Sequence, residues 1–329
     1  MHAYARLARM PRRAVFFYFA LGLAVAVALS SCESGLNAPG VAATAQSTEA
    51  LSLLPSDVQM LGMMDLRAAR ESDAVQTATG GAGLGMVSPN GSSEFDDFVR
   101  RTGFNPGEDL DRVYVAASEA RESFAFVAYG RFDRDRITRF IAEQEDADVE
   151  PTEIDGLPVY FATEAEGPRA GFALVNDEMI LAGDEPSLRA MLDRLGGAAS
   201  SPSSDVQTLL DRVQYPDGAW FIARDLDMDS QPSGDDPMGA AATMADDMVV
   251  SMDFRRDGVA FGAFILPRAG ASAEDLERVV KGGVAAARLG MKDEPTAVDV
   301  LDRVKVSERN GGVDVEAFLP SAFLASMSD

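Results

Sequence analysis

Two stretches decide the fold of this chain, "DRVYVAASEARESFAFVAY" (111–129) and "DDMVVSMDFRRDGVAFGAF" (246–264). Each holds two runs of alternating apolar residues around a short charged break, the pattern of an antiparallel hairpin. "AFVAY" aligns with "AFGAF", and at the same offset Arg121 aligns with Arg256. Upstream, "PSDVQMLGMMDL" (55–66) matches "PDGAWFIARDL" (216–226). Downstream come helix-like runs, "DRDRITRFIAEQ" (133–144) and "SAEDLERVVKGGVAAARLG" (272–290). Paired strand-like runs follow: "LPVYFAT" with "RAGFALV", then "RVKVSE" with "GVDVEAFL". One order occurring twice identifies an internal duplication.

The last run shows which fold class this is. Val313, Val315, Ala317 and Leu319 share one face of a strand, while Asp314 and Glu316 share the other. Such alternation describes antiparallel strands with one wet face, so helices are expected to cover the opposite face. The predicted class is α+β, internally duplicated, with antiparallel sheets and helices packed on one face. "GDEPSLRAMLDRLGG" (183–197) reads as a helix with Asp184 as N-cap, Pro186 in its first turn and Gly196 at its exit. Residues 51–197 and 206–329 form the two repeats, joined by a linker over 198–205.

The chain starts with Arg6, Arg9, Arg12 and Arg13 and no acid, then runs without charge through "AVFFYFALGLAVAVALSS" (14–31). Basic flank, apolar run and small-residue exit describe a secretory signal. Leu29-Ser30-Ser31-Cys32 resembles the lipobox of bacterial lipoproteins. The resemblance implies that residues 1–31 are removed and that the Cys32 thiol carries a diacylglycerol. Two or three acyl chains anchor firmly where one does not. Glu33, in place of the aspartate that retains lipoproteins at an inner membrane, favours the outer membrane. Residues 32–50 are small, polar and non-periodic, and read as a flexible tether.

Composition narrows the function. Net charge is −24, and loss of the signal's four arginines takes it to −28. Lys281, Lys292 and Lys305 are the only lysines, so acidity with little lysine resembles the surfaces of salt-loving organisms. A surface of that sign repels nucleic-acid phosphates, so no nucleic-acid partner is expected. His2 is the single histidine and leaves with the signal, and Cys32 is the single cysteine. The mature chain therefore has no Ser-His-Asp or Cys-His catalysis and no imidazole or thiolate zinc site. Neither S-x-x-K, G-x-S-x-G nor a phosphate-binding G-x-x-x-x-G-K-[ST] occurs.

One metal candidate stands out by spacing. "DLDMDSQPSGDD" (225–236) sets Asp225, Asp227, Asp229, Ser233 and Asp236 at positions 1, 3, 5, 9 and 12 of a calcium loop. Ser230 replaces the glycine of position 6, and Asp236 is shorter than the usual bidentate glutamate. A solvated acidic loop is the stronger reading, and no cofactor is expected. The glycine-rich runs 80–93 and 233–244 follow no phosphate pattern. Met60 and Met64 share one strand face and Met63 the other, so "MLGMMD" (60–65) is core rather than a copper site, and Trp220 is core as well.

"TGFNPGEDLDRVYVA" (102–116), "YGRFDRDRITRFI" (129–141), "IDGLPVYFA" (154–162) and "LAGDEPSLRAMLD" (181–193) resemble a group of exported bacterial proteins without an assigned activity. The likeness spans most of residues 51–230 and implies the fold order and a non-enzymatic role. The expected function is that of an envelope lipoprotein, held to the membrane through Cys32 and binding a protein or lipid partner. The alternative is a solute- or calcium-binding lipoprotein.

Overall fold

The structure is a computed structural model that describes residues 44–78, 93–143, 149–162, 169–197, 200–226, 241 and 243–326. The first half begins with a helix, α1 (Ala45–Leu53), capped by the Thr44 hydroxyl, which accepts from the Ser47 N–H at 3.1 Å. Strand β1 (Met60–Asp65) follows, then the short helices α2 (Leu66–Glu71) and α3 (Asp73–Ala78). Helices α4 (Ser93–Thr102) and α5 (Pro106–Asp109) lead into β2 (Leu110–Ser118), β3 (Ser123–Gly130) and α6 (Arg134–Ala142). Strands β4 (Val149–Ile154), β5 (Leu157–Ala162), β6 (Ala170–Leu174) and β7 (Met179–Asp184) end in α7 (Glu185–Leu195). Asp184 caps α7 by accepting from the Ser187 N–H at 2.9 Å, and Gly196 closes it, as its sequence predicts.

Among the described residues the second half repeats this plan in fewer pieces. It runs α8 (Ser204–Leu210), β8 (Ala219–Ala223), β9 (Ala245–Phe254), β10 (Gly258–Pro267) and α9 (Ala273–Gly290). Helix α10 (Pro295–Leu301), β11 (Lys305–Arg309), β12 (Gly312–Pro320) and α11 (Ser321–Ser326) complete it. Ser203 caps α8 as Thr44 caps α1, and the two caps stand as far apart in sequence as Leu61 and Trp220 do. Each repeat therefore starts with a helix.

The expected tether over 32–50 is corrected here: from Ala45 onward it is α1, and Ala50, Leu53 and Leu54 at its end are sealed from water. The α1 sequence lacks a clean apolar stripe because polar side chains do much of its docking. Helix α8 likewise reaches into the last residues of the expected linker.

The twelve strands form one antiparallel sheet in the order β11-β12-β10-β9-β8-β1-β2-β3-β7-β6-β5-β4. The halves meet where β1 pairs with β8, Leu61 opposite Ile222 and Met63 opposite Trp220. The duplicated hairpins flank this seam, β1 pairing with β2 and β8 with β9. Sheet position corrects one match read from the sequence. Strands β7 and β12 lie beside β3 and β10, so β6–β7 is the counterpart of β11–β12, and β4–β5 is an extra hairpin. Alternation alone cannot tell one such hairpin from the next.

The helices that follow β3 and β10 lie on one face, as expected. There α6 covers Tyr160 and Leu174, and α9 covers Val313. The other face is also covered, by α1, α7 and α8 over Leu61, Met63, Tyr114, Val127, Trp220 and Ile222. Each fully buried leucine or isoleucine here contributes about 1.5–3 kcal/mol. In the second half α11 packs on the α9 side, so among the described residues β11 and β12 have no counterpart of α7. Their outer face keeps Asp314 and Glu316 where the alternation predicts a wet face, but both are only partly exposed. Phe318 and Phe264 close over Gly258 and Gly312, where an added Cβ would lie 2.6 and 2.7 Å from the rings.

Candidate functional site

A polar seam fixes α1 to the middle of the sheet. Asp65 ends β1, and its Oδ1 accepts from the Ala68 N–H at 2.7 Å, which caps α2. Its Oδ2 accepts from Arg112 Nε at 3.1 Å in an ion pair largely removed from solvent. Arg112 in turn donates to Gln46 of α1 at 3.3 Å. Tyr129 donates to Glu49 at 3.0 Å, and burial together with the Glu49 charge pushes its phenol up, so it stays a neutral donor. The seam is structural chemistry. None of its groups lines either of the two concavities described next.

Two concavities among the described residues bear on function. A cleft of about 910 Å³ runs between α4, α5 and the start of α6, with Arg131, Arg134, Arg136 and Asp177 on its walls. Arg131 is occupied by the Glu108 carbonyl at 2.9 Å and Asp109 at 3.0 Å. Arg136 donates to the carbonyls of Arg101 and Arg100 at 3.2 and 3.4 Å, which closes the end of α4. The cleft is open and polar, and its five acids, Asp109, Asp133, Asp135, Asp177 and Glu178, outnumber its three arginines. The second is a groove of about 420 Å³ between α9 and β11, lined by Lys281, Val284, Val304, Lys305, Val306 and Ser307. Lys281 holds the Glu277 carboxylate at 2.9 Å and keeps it below the ordinary carboxylate range.

The residues singled out by sequence fare as follows. Cys32 lies outside the described residues, as do Asp227, Asp229, Ser233 and Asp236. Asp225 has a left-handed backbone, φ 51°, and its N–H donates to Asp247 Oδ1 at 3.2 Å. Among the described residues no cluster of three or more acids, histidines or cysteines could hold a metal. Met63 is buried on the α1 face, with Met60 and Met64 on the other, and Trp220 is buried opposite Met63. Sequence reasoning missed both the seam and the groove. The Thr44-x-x-Ser47 cap and the matched Tyr114 and Tyr129 were the available signals for the seam. The groove has none, because α9 and β11 meet only in the fold.

Leu289, 69% exposed, is the one large apolar side chain in full contact with water among the described residues. No helix among them is long and apolar enough to cross a membrane.

No protein-family model matches the chain, and no curated protein matches it. Solved structures do resemble it. Crystal form III of the Treponema protein TP0453 aligns at TM-score 0.50 and 11% identity, over 84% of this chain and 96% of that one. Crystal forms I and IV align at TM-scores of 0.47 and 0.48, with 11% and 12% identity, over 84% and 85% of this chain and 95% and 96% of theirs. At that identity the shared property is the mixed fold built on a large antiparallel sheet.

Proposed function

We propose that this protein is a lipid-anchored envelope protein that binds a protein or lipid partner and performs no chemistry. The observation that carries the reading is Leu29-Ser30-Ser31-Cys32 behind a basic and apolar leader. Glu33 favours the outer membrane as its site. The form of the concavities supports a macromolecular partner over a small solute. Solute sites enclose most of their ligand within a largely apolar pocket. Here the larger cleft is open, and Arg131 and Arg136 are already engaged by protein groups.

The test combines location with capture. Wild-type protein should sediment with the membrane fraction and stay there in high salt, while Cys32→Ser should be soluble or an uncleaved precursor. Purified from detergent-solubilised envelopes, the wild type should bring down one protein or lipid in stoichiometric amount. Fatty-acid labelling and membrane retention of Cys32→Ser at the wild-type level, or a wild-type preparation that holds no partner, contradicts the proposal.

A further inference from the structure

Among the described residues the twelve-stranded sheet is open, with two edges that differ. The β4 edge is blunted. Its two-residue turn at Asp155-Gly156 makes Ile154 and Leu157 a bonded pair, and alternation then turns position 151 outward. Position 151 is proline, which has no N–H to offer. The β11 edge has no proline. Its turn at Asn310-Gly311 pairs Arg309 with Gly312, so Val306 and Glu308 direct their backbone groups away from β12. The Glu308 N–H confirms that direction, because it donates outward to Glu277 Oε1 at 3.2 Å.

We propose that the β11 edge accepts an added antiparallel strand from a partner, with apolar and acidic side chains in alternation. This rests on the reading of the protein as an anchored interaction protein and names the surface used. Three observations set the partner's chemistry. On the α9 side, the edge borders the groove formed by Val284, Val304 and Val306, which takes the apolar side chains. On the opposite side β11 presents Lys305, Ser307 and Arg309, which face acids. In a chain with three lysines and an excess of acid, two of those lysines, Lys281 and Lys305, stand at this edge, one on each side of it. The inner neighbour already has the complementary chemistry. Strand β12 sets Glu316 across from Lys305, Asp314 across from Ser307 and Val315 across from Val306. A guest strand on the outer side meets the same three side chains.

Glu277 acts as a placeholder in this arrangement. Its carboxylate occupies the Glu308 donor that a guest carbonyl would take, and Lys281 holds it there. A second copy of the chain is a poor guest, because β11 laid antiparallel on β11 about Ser307 sets Lys305 against Arg309. Strand addition of this kind draws affinity from main-chain bonds and specificity from alternate side-chain pockets.

The test uses the purified mature protein in detergent and a labelled, end-blocked peptide with the sequence of residues 312–319, GVDVEAFL, followed by fluorescence anisotropy. A control peptide carries lysine in place of its aspartate and glutamate. The acidic peptide should bind saturably, and the lysine peptide at least tenfold more weakly. Val306→Pro, which removes one outward donor, should weaken the acidic peptide at least tenfold, and Glu277→Ala should strengthen it severalfold. Should Val306→Pro fail to fold, the double charge reversal Lys305→Glu with Arg309→Glu serves instead and should give the same loss. Absence of saturable binding, equal binding of both peptides, or binding that survives these variants overturns the proposal. If the peptide fails while the wild type still sediments with membranes and retains a partner, the edge falls and the anchored-protein reading stands.

Discussion

The hydroxyls of Ser47 and Tyr114 lie 2.8 Å apart in a buried contact that ties the first helix to the centre of the sheet. Tyr114 is wholly sealed from solvent, and Ser47 also takes part in the cap of α1 through Thr44. The folded body therefore includes α1, ahead of the first strand.

Ser47→Ala should cost about 0.5–1.5 kcal/mol, because it removes the buried Ser47–Tyr114 hydrogen bond. Urea denaturation of the mature protein measures this through the shift in midpoint. A change below about 0.5 kcal/mol would mean that α1 docks through its apolar residues alone.

Much of this body was legible in the chain, and the omissions have physical causes. The 111–129 and 246–264 hairpins, the Asp184 cap and the facing of Met63 against Met60 follow from period-two and capping chemistry, which are local. Helix α1 was not legible, because Gln46, Ser47 and Glu49 dock it through Arg112, Tyr114 and Tyr129. A polar docking face looks like tether in sequence. The union of both halves in one sheet rests on β1 meeting β8, a pairing across about 160 residues that no local pattern encodes. The β11 groove is equally non-local, since Val284 and Val306 come from different elements.

Asp314 gives a pH dependence of defined sign. Burial pushes its carboxyl above the ordinary range, and Arg309 only partly opposes this. The folded state therefore binds this proton more tightly than the unfolded state, and its contribution, complete at low pH, is lost as pH rises through the lifted value. Asp314→Asn should raise the melting temperature at pH 7 by about 1–2 °C, a gain below about 1 kcal/mol. The gain should vanish near pH 3. A variant less stable than wild type at pH 7 would show that the Arg309 pair outweighs burial.

Salt should stabilise the protein. The chain's charge of −24, which would be −28 without residues 1–31, repels itself, and the Debye length shrinks from about 10 Å at 0.1 M to about 3 Å at 1 M. Exposed pairs such as Arg278–Glu274 and Arg303–Asp299 contribute only about 0–1 kcal/mol each, so their screening costs little. The melting temperature should rise between 0.1 and 1 M sodium chloride, and a fall would show that paired arginines dominate the surface.

Anchorage through Cys32 is the central claim, and intact mass measurement of the protein from its native membrane tests it most directly. The account predicts a chain that begins at Cys32, with the mass of a diacylglycerol and, where present, an N-linked acyl chain added to that residue. A chain that begins elsewhere, or an unmodified Cys32 within a full-length product, would contradict it.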